Sequence, residues 1–305
     1  MSARPTAELR DRTVGFVGLG TMGAPMAQNV LKAGHPLVVY DLDSAKIERL
    51  AAQGALPAIS LADVANRASV LICMVDTTEQ AQEVIVGPLG FIERVRAGDV
   101  IVSMSTIDPR AVQEMHRTLA SRDVEIIDAP VTGFIQGAEQ GKLKAYVGGS
   151  IAALEKVRFA LEPMTAEIRH IGPVGQGLVV KLVNNMLAQA GRILVVEAMV
   201  MGTKAGIDPQ TIIDVVSGAT GNSMVFQHAA PRMLSRDFSG IRMDITIKDL
   251  ELETQVAKSL GVPMFMANVA QQVYQMAKAA GLGSEDPAAV VKVYEQLTGV
   301  SLARR

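Results

Sequence analysis

The sequence predicts an α/β chain in two parts, a doubly wound, mostly parallel sheet followed by an all-α segment. Three observations carry this. Short β-branched runs alternate with helical stretches up to residue 171. After Gly172 such runs mostly stop, and long helical patterns punctuated by Gly and Pro take over. The 305 residues are 49% hydrophobic and 20% charged, enough apolar surface for two cores.

In order, strands are expected at Thr13–Val17, Pro36–Tyr40, Val70–Met74, Val100–Ser103 and Glu125–Ile127. Helices fall between them near Met22–Lys32, Ser44–Ala52, Thr78–Val86 and Pro109–Ser121. Near-continuous apolar strands joined by helical crossovers mean a parallel sheet covered on both faces. Ala145–Gly148 and Ile168–Ile171 read as further strands closing this part. Helical patterns then run over Gly175–Ala205, Pro209–Val216, Thr246–Leu260, Pro263–Ala280 and Pro287–Thr298. The expected domains are therefore 1–171 and 172–305.

Composition excludes several functions. A net charge of -2 leaves no basic excess for a phosphate backbone, so no nucleic-acid partner is expected. A single cysteine, Cys73, rules out an intrachain disulfide and a Cys-based zinc site, and fits a reducing, cytoplasmic setting. Four scattered histidines, and Glu251 and Glu253 two apart on a helix, point to no metal. Met1–Arg12 is polar and reads as no secretory signal. The apolar stretch Leu178–Gly206 contains Lys181, Asn184, Asn185, Arg192 and Glu197, so a buried helix is expected there and no membrane partner. A positive mean hydropathy predicts apolar surface covered in a homodimer or homotetramer.

The first chemical motif is a glycine loop. Gly18, Leu19, Gly20, Thr21, Met22 and Gly23 follow a strand and open a helix, and a second strand ends at Asp41, 18 residues after Gly23. This is the dinucleotide-binding fingerprint of a Rossmann-type fold. Gly18 permits the tight turn, Gly20 lets the backbone approach a pyrophosphate, and Gly23 lets helix and strand pack closely. The helix N-terminus offers free N–H donors to the phosphates. Asp41 can accept from both ribose hydroxyls and would repel a 2′-phosphate; Leu42 and Asp43 follow it, with no Arg. NAD is expected rather than NADP.

The second is Lys181 and Asn185, four apart and so on one helix face, inside an apolar run that follows Gly175-Gln176-Gly177. Polar groups in such a run are costly unless paired or functional. A snorkelling lysine and interhelical asparagine bonds would equally account for them.

These residues resemble a known family, the β-hydroxyacid dehydrogenases, the group of 3-hydroxyisobutyrate dehydrogenase, tartronate semialdehyde reductase and 6-phosphogluconate dehydrogenase. Four motifs carry the likeness in order. They are the loop from Gly18 to Gly23 with Pro25-Met26-Ala27; Asp128-Ala129-Pro130-Val131-Thr132-Gly133; Gly175-Gln176-Gly177 through Lys181 to Asn185; and Lys248-Asp249-Leu250. The resemblance implies that Lys181 is catalytic, that Asn185 holds substrate, and that Thr132 and Gly133 bind its carboxylate. It also implies that Val75, Asp76, Thr106 and Lys248 line the cofactor. Two departures stand out: Phe134 where the family has a small residue, and Asp76 where it has Pro.

The expected reaction moves a hydride between NAD and a small anionic 3-hydroxy acid, 3-hydroxyisobutyrate-like, and its semialdehyde. Lys181, lowered from an ordinary pKa of about 10.4 by burial and by a cationic nicotinamide, would be the general acid/base. The alternatives are a reductase of another small aldehyde or imine on the same fold, or a non-catalytic nucleotide-binding module.

Overall fold

The computed structural model describes Arg10 and residues 12–303, so the reading of Met1–Arg12 as no leader concerns residues that, Arg10 and Arg12 apart, lie outside those described. The chain forms two compact units, one ending at Lys181 and the other starting at Leu182.

The first unit alternates strand and helix: β1 (Val14–Val17), α1 (Gly23–Lys32), β2 (Leu37–Tyr40), α2 (Ser44–Ala51), β3 (Leu56–Pro57), α3 (Leu61–Arg67), β4 (Val70–Cys73), α4 (Thr78–Val86), β5 (Val100–Ser103), α5 (Pro109–Ala120) and β6 (Glu125–Asp128). Then come β7 (Val131–Thr132), α6 (Phe134–Glu139), β8 (Leu143–Gly148), α7 (Ile151–Leu161) and β9 (Thr165–Gly172). The sheet order is β3-β2-β1-β4-β5-β6-β8-β7, with β9 pairing β8. Pairing is parallel from β3 to β6, antiparallel where β8 meets β6 and β7, and parallel again between β8 and β9.

Both faces are covered because side chains alternate along each strand. Val14, Phe16, Val70 and Ile72 enter one apolar cluster with Met26 and Val30 of α1 and Leu154 and Val157 of α7. Val17, Leu71 and Cys73 enter the opposite one with Val64 of α3, Ile85 of α4 and Met115 of α5. Chain order reverses between β1 and β4, the position where open α/β sheets take ligands at their carboxyl ends. Behind the opposite end, Asp99 receives both terminal nitrogens of Arg10, at 2.8 and 2.6 Å, and the Arg96 N–H at 2.8 Å.

The long helix α8 (Gln176–Lys204) starts in the first unit. It is followed by α9 (Pro209–Ser217), α10 (Met224–Ser235), α11 (Met243–Ser259), α12 (Phe265–Ala279) and α13 (Val291–Thr298). Their core gathers Val196, Met199, Met233, Leu250 and Tyr274.

The compact units part at Lys181/Leu182, inside α8, where Leu178 is still buried in the first unit's core. Two differences from the sequence expectation have physical causes. Helix α10 went unforeseen; Pro231 sits inside it and disguises its period. Helix α8 is not the buried helix expected: Val183, Leu187, Leu194 and Met201 are each more than half exposed along one side.

Replacing Asp99 by Ala strands a buried guanidinium. It should cost about 3–5 kcal/mol, read as a lower urea midpoint.

Candidate active site

The carboxyl ends of the parallel strands carry most of the expected cofactor residues in one row. After β1, Gly18 turns the chain at φ +93°, and a Cβ on it would lie 2.1 Å from the Met74 carbonyl oxygen, so only glycine fits. A Cβ on Gly23 would lie 1.9 Å from the Gly18 carbonyl oxygen, which lets α1 start directly against the turn. Gly20 is different. A Cβ there would meet nothing within 4 Å, so the fold does not require glycine at that position. Gly20 and Thr21 are exposed, Leu19 is buried, and Met22 begins α1 with no side-chain cap. A loop with bare N–H donors and open space at its middle glycine fits a pyrophosphate.

Asp41, after β2, is tied into this loop. One carboxylate oxygen accepts the Leu19 N–H at 2.6 Å, and the other accepts the Asp43 N–H at 2.9 Å. Lys46 places its ammonium 3.5 Å from the same carboxylate. The aspartate expected to bind ribose therefore also fastens the glycine loop.

After β4, the Val75 side chain stands against Gly18, and its N–H donates to Ser105 Oγ at 2.7 Å. Asp76 follows, with its N–H on Gln80 Oε1 at 3.0 Å, at the capping box that starts α4. Thr106, half-buried after β5, completes the row. Ser105, fully buried and missed by the sequence analysis, is the link that fixes Val75 to the neighbouring strand end. Cys73 on β4 is fully buried and its thiol is pushed up to about 12 by burial, so it is a packed, unreactive group.

Thr132 and Gly133 lie beyond this row, on β7 and at the entry to α6. Gly133 adopts φ +134° and Phe134 φ +59°, two successive positive angles. Phe134 is 47% exposed.

Lys181 is half-buried in the second turn of α8. The start of that helix is held by Asp128 at the end of β6, whose carboxylate oxygens accept the N–H groups of Gly175 and Leu178 at 2.6 and 2.7 Å. Burial pushes the Asp128 carboxyl up to about 6, with the backbone donors opposing that shift.

The second unit brings Asn185 and Lys248 together through a residue the sequence analysis gave no role. Asp249, buried on α11, accepts from Asn185 Nδ2 at 2.9 Å through one oxygen, and its other oxygen is 3.1 Å from Lys248 Nζ. The interhelical bond weighed for the asparagines is thus present at Asn185.

A family model for the NAD binding domain of 6-phosphogluconate dehydrogenase matches residues 13–172. A second, described as the NAD-binding region of NADP-dependent 3-hydroxyisobutyrate dehydrogenase, matches residues 175–294. The chain belongs to the β-hydroxyacid dehydrogenase family.

Among its relatives is 2-(hydroxymethyl)glutarate dehydrogenase of Eubacterium barkeri, 37% identical, with 95% of this chain and 97% of that protein aligned. The NAD-dependent L-serine dehydrogenase of Pseudomonas aeruginosa is 32% identical over 94% of this chain and 99% of its own. The structure of Mycobacterium tuberculosis 3-hydroxyisobutyrate dehydrogenase with L-serine superimposes at a TM-score of 0.86, with 30% identity, 93% of this chain and 99% of that one covered. As a β-hydroxyacid dehydrogenase this chain is a nicotinamide-dinucleotide-dependent oxidoreductase of small hydroxy acids.

The second and third glycines of the loop, Gly20 and Gly23, should separate under substitution. Gly20→Ala should leave stability within about 0.5 kcal/mol yet weaken binding of the nicotinamide dinucleotide about tenfold or more, measured by fluorescence titration. Gly23→Ala should lower stability by roughly 1–3 kcal/mol or more through overpacking, seen as a fall in Tm.

Proposed function

We propose that this family member catalyses the reversible NAD-dependent oxidation of a small anionic 3-hydroxy acid, 3-hydroxyisobutyrate-like, to its semialdehyde, with Lys181 as general acid/base. The observation that carries the reading is a half-buried lysine in the second turn of α8, followed one turn later by Asn185.

Bound NAD supplies the carbon that accepts the hydride. The chain supplies the rest. In oxidation Lys181 Nζ, neutral, takes the hydroxyl proton; in reduction the same group, as an ammonium, returns a proton to the carbonyl oxygen. Asn185 is held with Nδ2 toward Asp249, which leaves the second amide hydrogen to donate to a substrate carboxylate. Thr132 Oγ1 and the backbone N–H groups at Gly133 are the other carboxylate donors in this reading.

The named substrates of the relatives support it. 2-(Hydroxymethyl)glutarate, L-serine and 3-hydroxyisobutyrate each carry a primary alcohol on the carbon next to one bearing a carboxylate. Asp41 favours NAD, because a 2′-phosphate there would meet its negative charge. Lys46, 3.5 Å away, offsets part of that charge and keeps the preference finite.

A panel of 3-hydroxyisobutyrate, L-serine, 2-(hydroxymethyl)glutarate, glycerate and 3-hydroxybutyrate, run with NAD and with NADP on wild type and Lys181→Met, tests these points. We expect turnover on one of the first three, at least about tenfold better kcat/KM with NAD, a difference of about 1.4 kcal/mol, and a loss of about 10²–10⁴ in kcat in the variant. Turnover within tenfold of wild type in Lys181→Met would remove the lysine from the chemistry.

We also propose that the exposed side of α8, with Val183, Leu187, Leu194 and Met201, is covered by a second copy of the chain. Sedimentation velocity at micromolar protein should show a homodimer or homotetramer, and a lone monomer would contradict this.

A further inference from the structure

We propose that Asp128 is a positioning residue for the reaction: its buried carboxylate clamps the first turn of α8 and so sets where Lys181 stands. This deepens the reading of Lys181 as the acid/base and rests on it.

The clamp is built from backbone. Asp128 is fully buried at the end of β6. Its two oxygens accept the N–H groups of Gly175 and Leu178 at 2.6 and 2.7 Å, and the N–H groups of Gly177 and of Asp128 itself also reach the carboxylate. Three donors come from the first turn of one helix, where unpaired N–H groups and the positive dipole end favour an anion.

Glycine makes the approach possible. A Cβ on Gly148 would lie 2.4 Å from one Asp128 oxygen. A Cβ on Gly177 would lie 2.8 Å from the other and 2.2 Å from the Tyr146 carbonyl oxygen. Gly175 takes φ +96°. Helices α2, α3, α4 and α5 are capped by Asp43, Ser60, Thr77 and Asp108, side chains that are not buried. A neutral serine would cap α8 without burying a charge.

What the charge provides is stiffness at one place. Lys181 follows Leu178 by three residues, about 4.5 Å along the axis, and its side chain inclines back over that first turn. Any tilt or rotation of the turn passes directly to Nζ, and a displacement of about 1 Å at a reacting group costs on the order of 10² in rate.

Titration separates this role from a purely structural one. Titratable side chains on the elements packed around β6 are Glu125 on β6 itself, Arg110, Glu114, His116 and Arg117 on α5, Glu155, Lys156 and Arg158 on α7, Lys144 and Tyr146 on β8, Glu167, Arg169 and His170 on β9, and Lys181 on α8. The groups that act on Asp128 are its own burial and the four backbone donors. Protonation near pH 6 turns an acceptor into a donor that faces N–H groups, and the clamp loosens. Stability runs the other way. A carboxyl raised from 3.8 to about 6 by folding contributes stability below its unfolded value and loses it as pH rises through 6.

The experiment follows reduction of the semialdehyde of 3-hydroxyisobutyrate by NADH from pH 7 to 5, where Lys181 is required as an ammonium and its own titration cannot slow the reaction. Wild-type kcat should fall about tenfold with a midpoint near 6, as a group of that pKa loses its ionised form. Over the same range, the Tm of wild type should rise relative to Asp128→Asn. Asp128→Asn should lose about 10–100-fold in kcat at pH 7, keep its KM and its affinity for NADH within about threefold, and show a flat profile. A flat wild-type profile overturns the proposal, as does a fall that persists in Asp128→Asn or an Asp128→Asn enzyme with wild-type kcat. If Asp128→Asn does not fold, the wild-type profile decides alone: a fall with a midpoint near 6 supports the proposal and a flat profile overturns it. An active Lys181→Met would sink the acid/base reading and this proposal together, whereas a flat profile with an inactive Lys181→Met sinks this one alone.

Discussion

At the carboxyl end of β1 backbone meets backbone at distances no side chain survives. The Gly18 α-carbon faces the Met74 carbonyl and Gly23 faces the Gly18 carbonyl, each so closely that a methyl would sit near 2 Å from oxygen. Packing at that density is what brings the start of α1 against the ends of β1 and β4. It places the first N–H groups of the helix, the Val75 segment and Asp41 around one exposed loop, and the dinucleotide half of the site follows from it. Widening that contact would move every donor in the row at once.

Carboxylates then do a similar job at three points. Asp41 holds a loop N–H, Asp128 holds the first turn of α8, and Asp249 holds the Asn185 amide. Charge-assisted hydrogen bonds are shorter and stronger than neutral ones, so each acid stiffens the piece it holds. Burying the charge costs stability, most at Asp128, which only backbone donors compensate. That cost is tolerable in a fold whose sheet is packed on both faces.

The parts of this arrangement that depend on local spacing were legible in the sequence. The loop from Gly18 to Gly23, the strand ending at Asp41 and the four-residue step from Lys181 to Asn185 are properties of neighbours in the chain. The parts that depend on distant partners were not. Ser105 acts on Val75 from 30 residues away, Asp128 on Gly175 from 47, and Asp249 on Asn185 from 64. No periodicity records such pairings. The same holds for α8, whose apolar composition reads as burial, though within one chain only one side finds a core. Helices α3 and α7 passed unnoticed even though Ser60 and Ser150 cap them through Asp63 and Ala153, a local signal that was available.

Phe134 tests how far fold alone explains a residue. It follows Gly133 with φ +59°, where a bulky side chain is a genuine outlier. Such a position costs of order 1–3 kcal/mol and persists only when its surroundings hold it. The ring is 47% exposed, so burial returns only part of the apolar gain a core phenylalanine would contribute. Beside Thr132 and Gly133 the backbone is thus held in a costly conformation while the ring stays half in solvent.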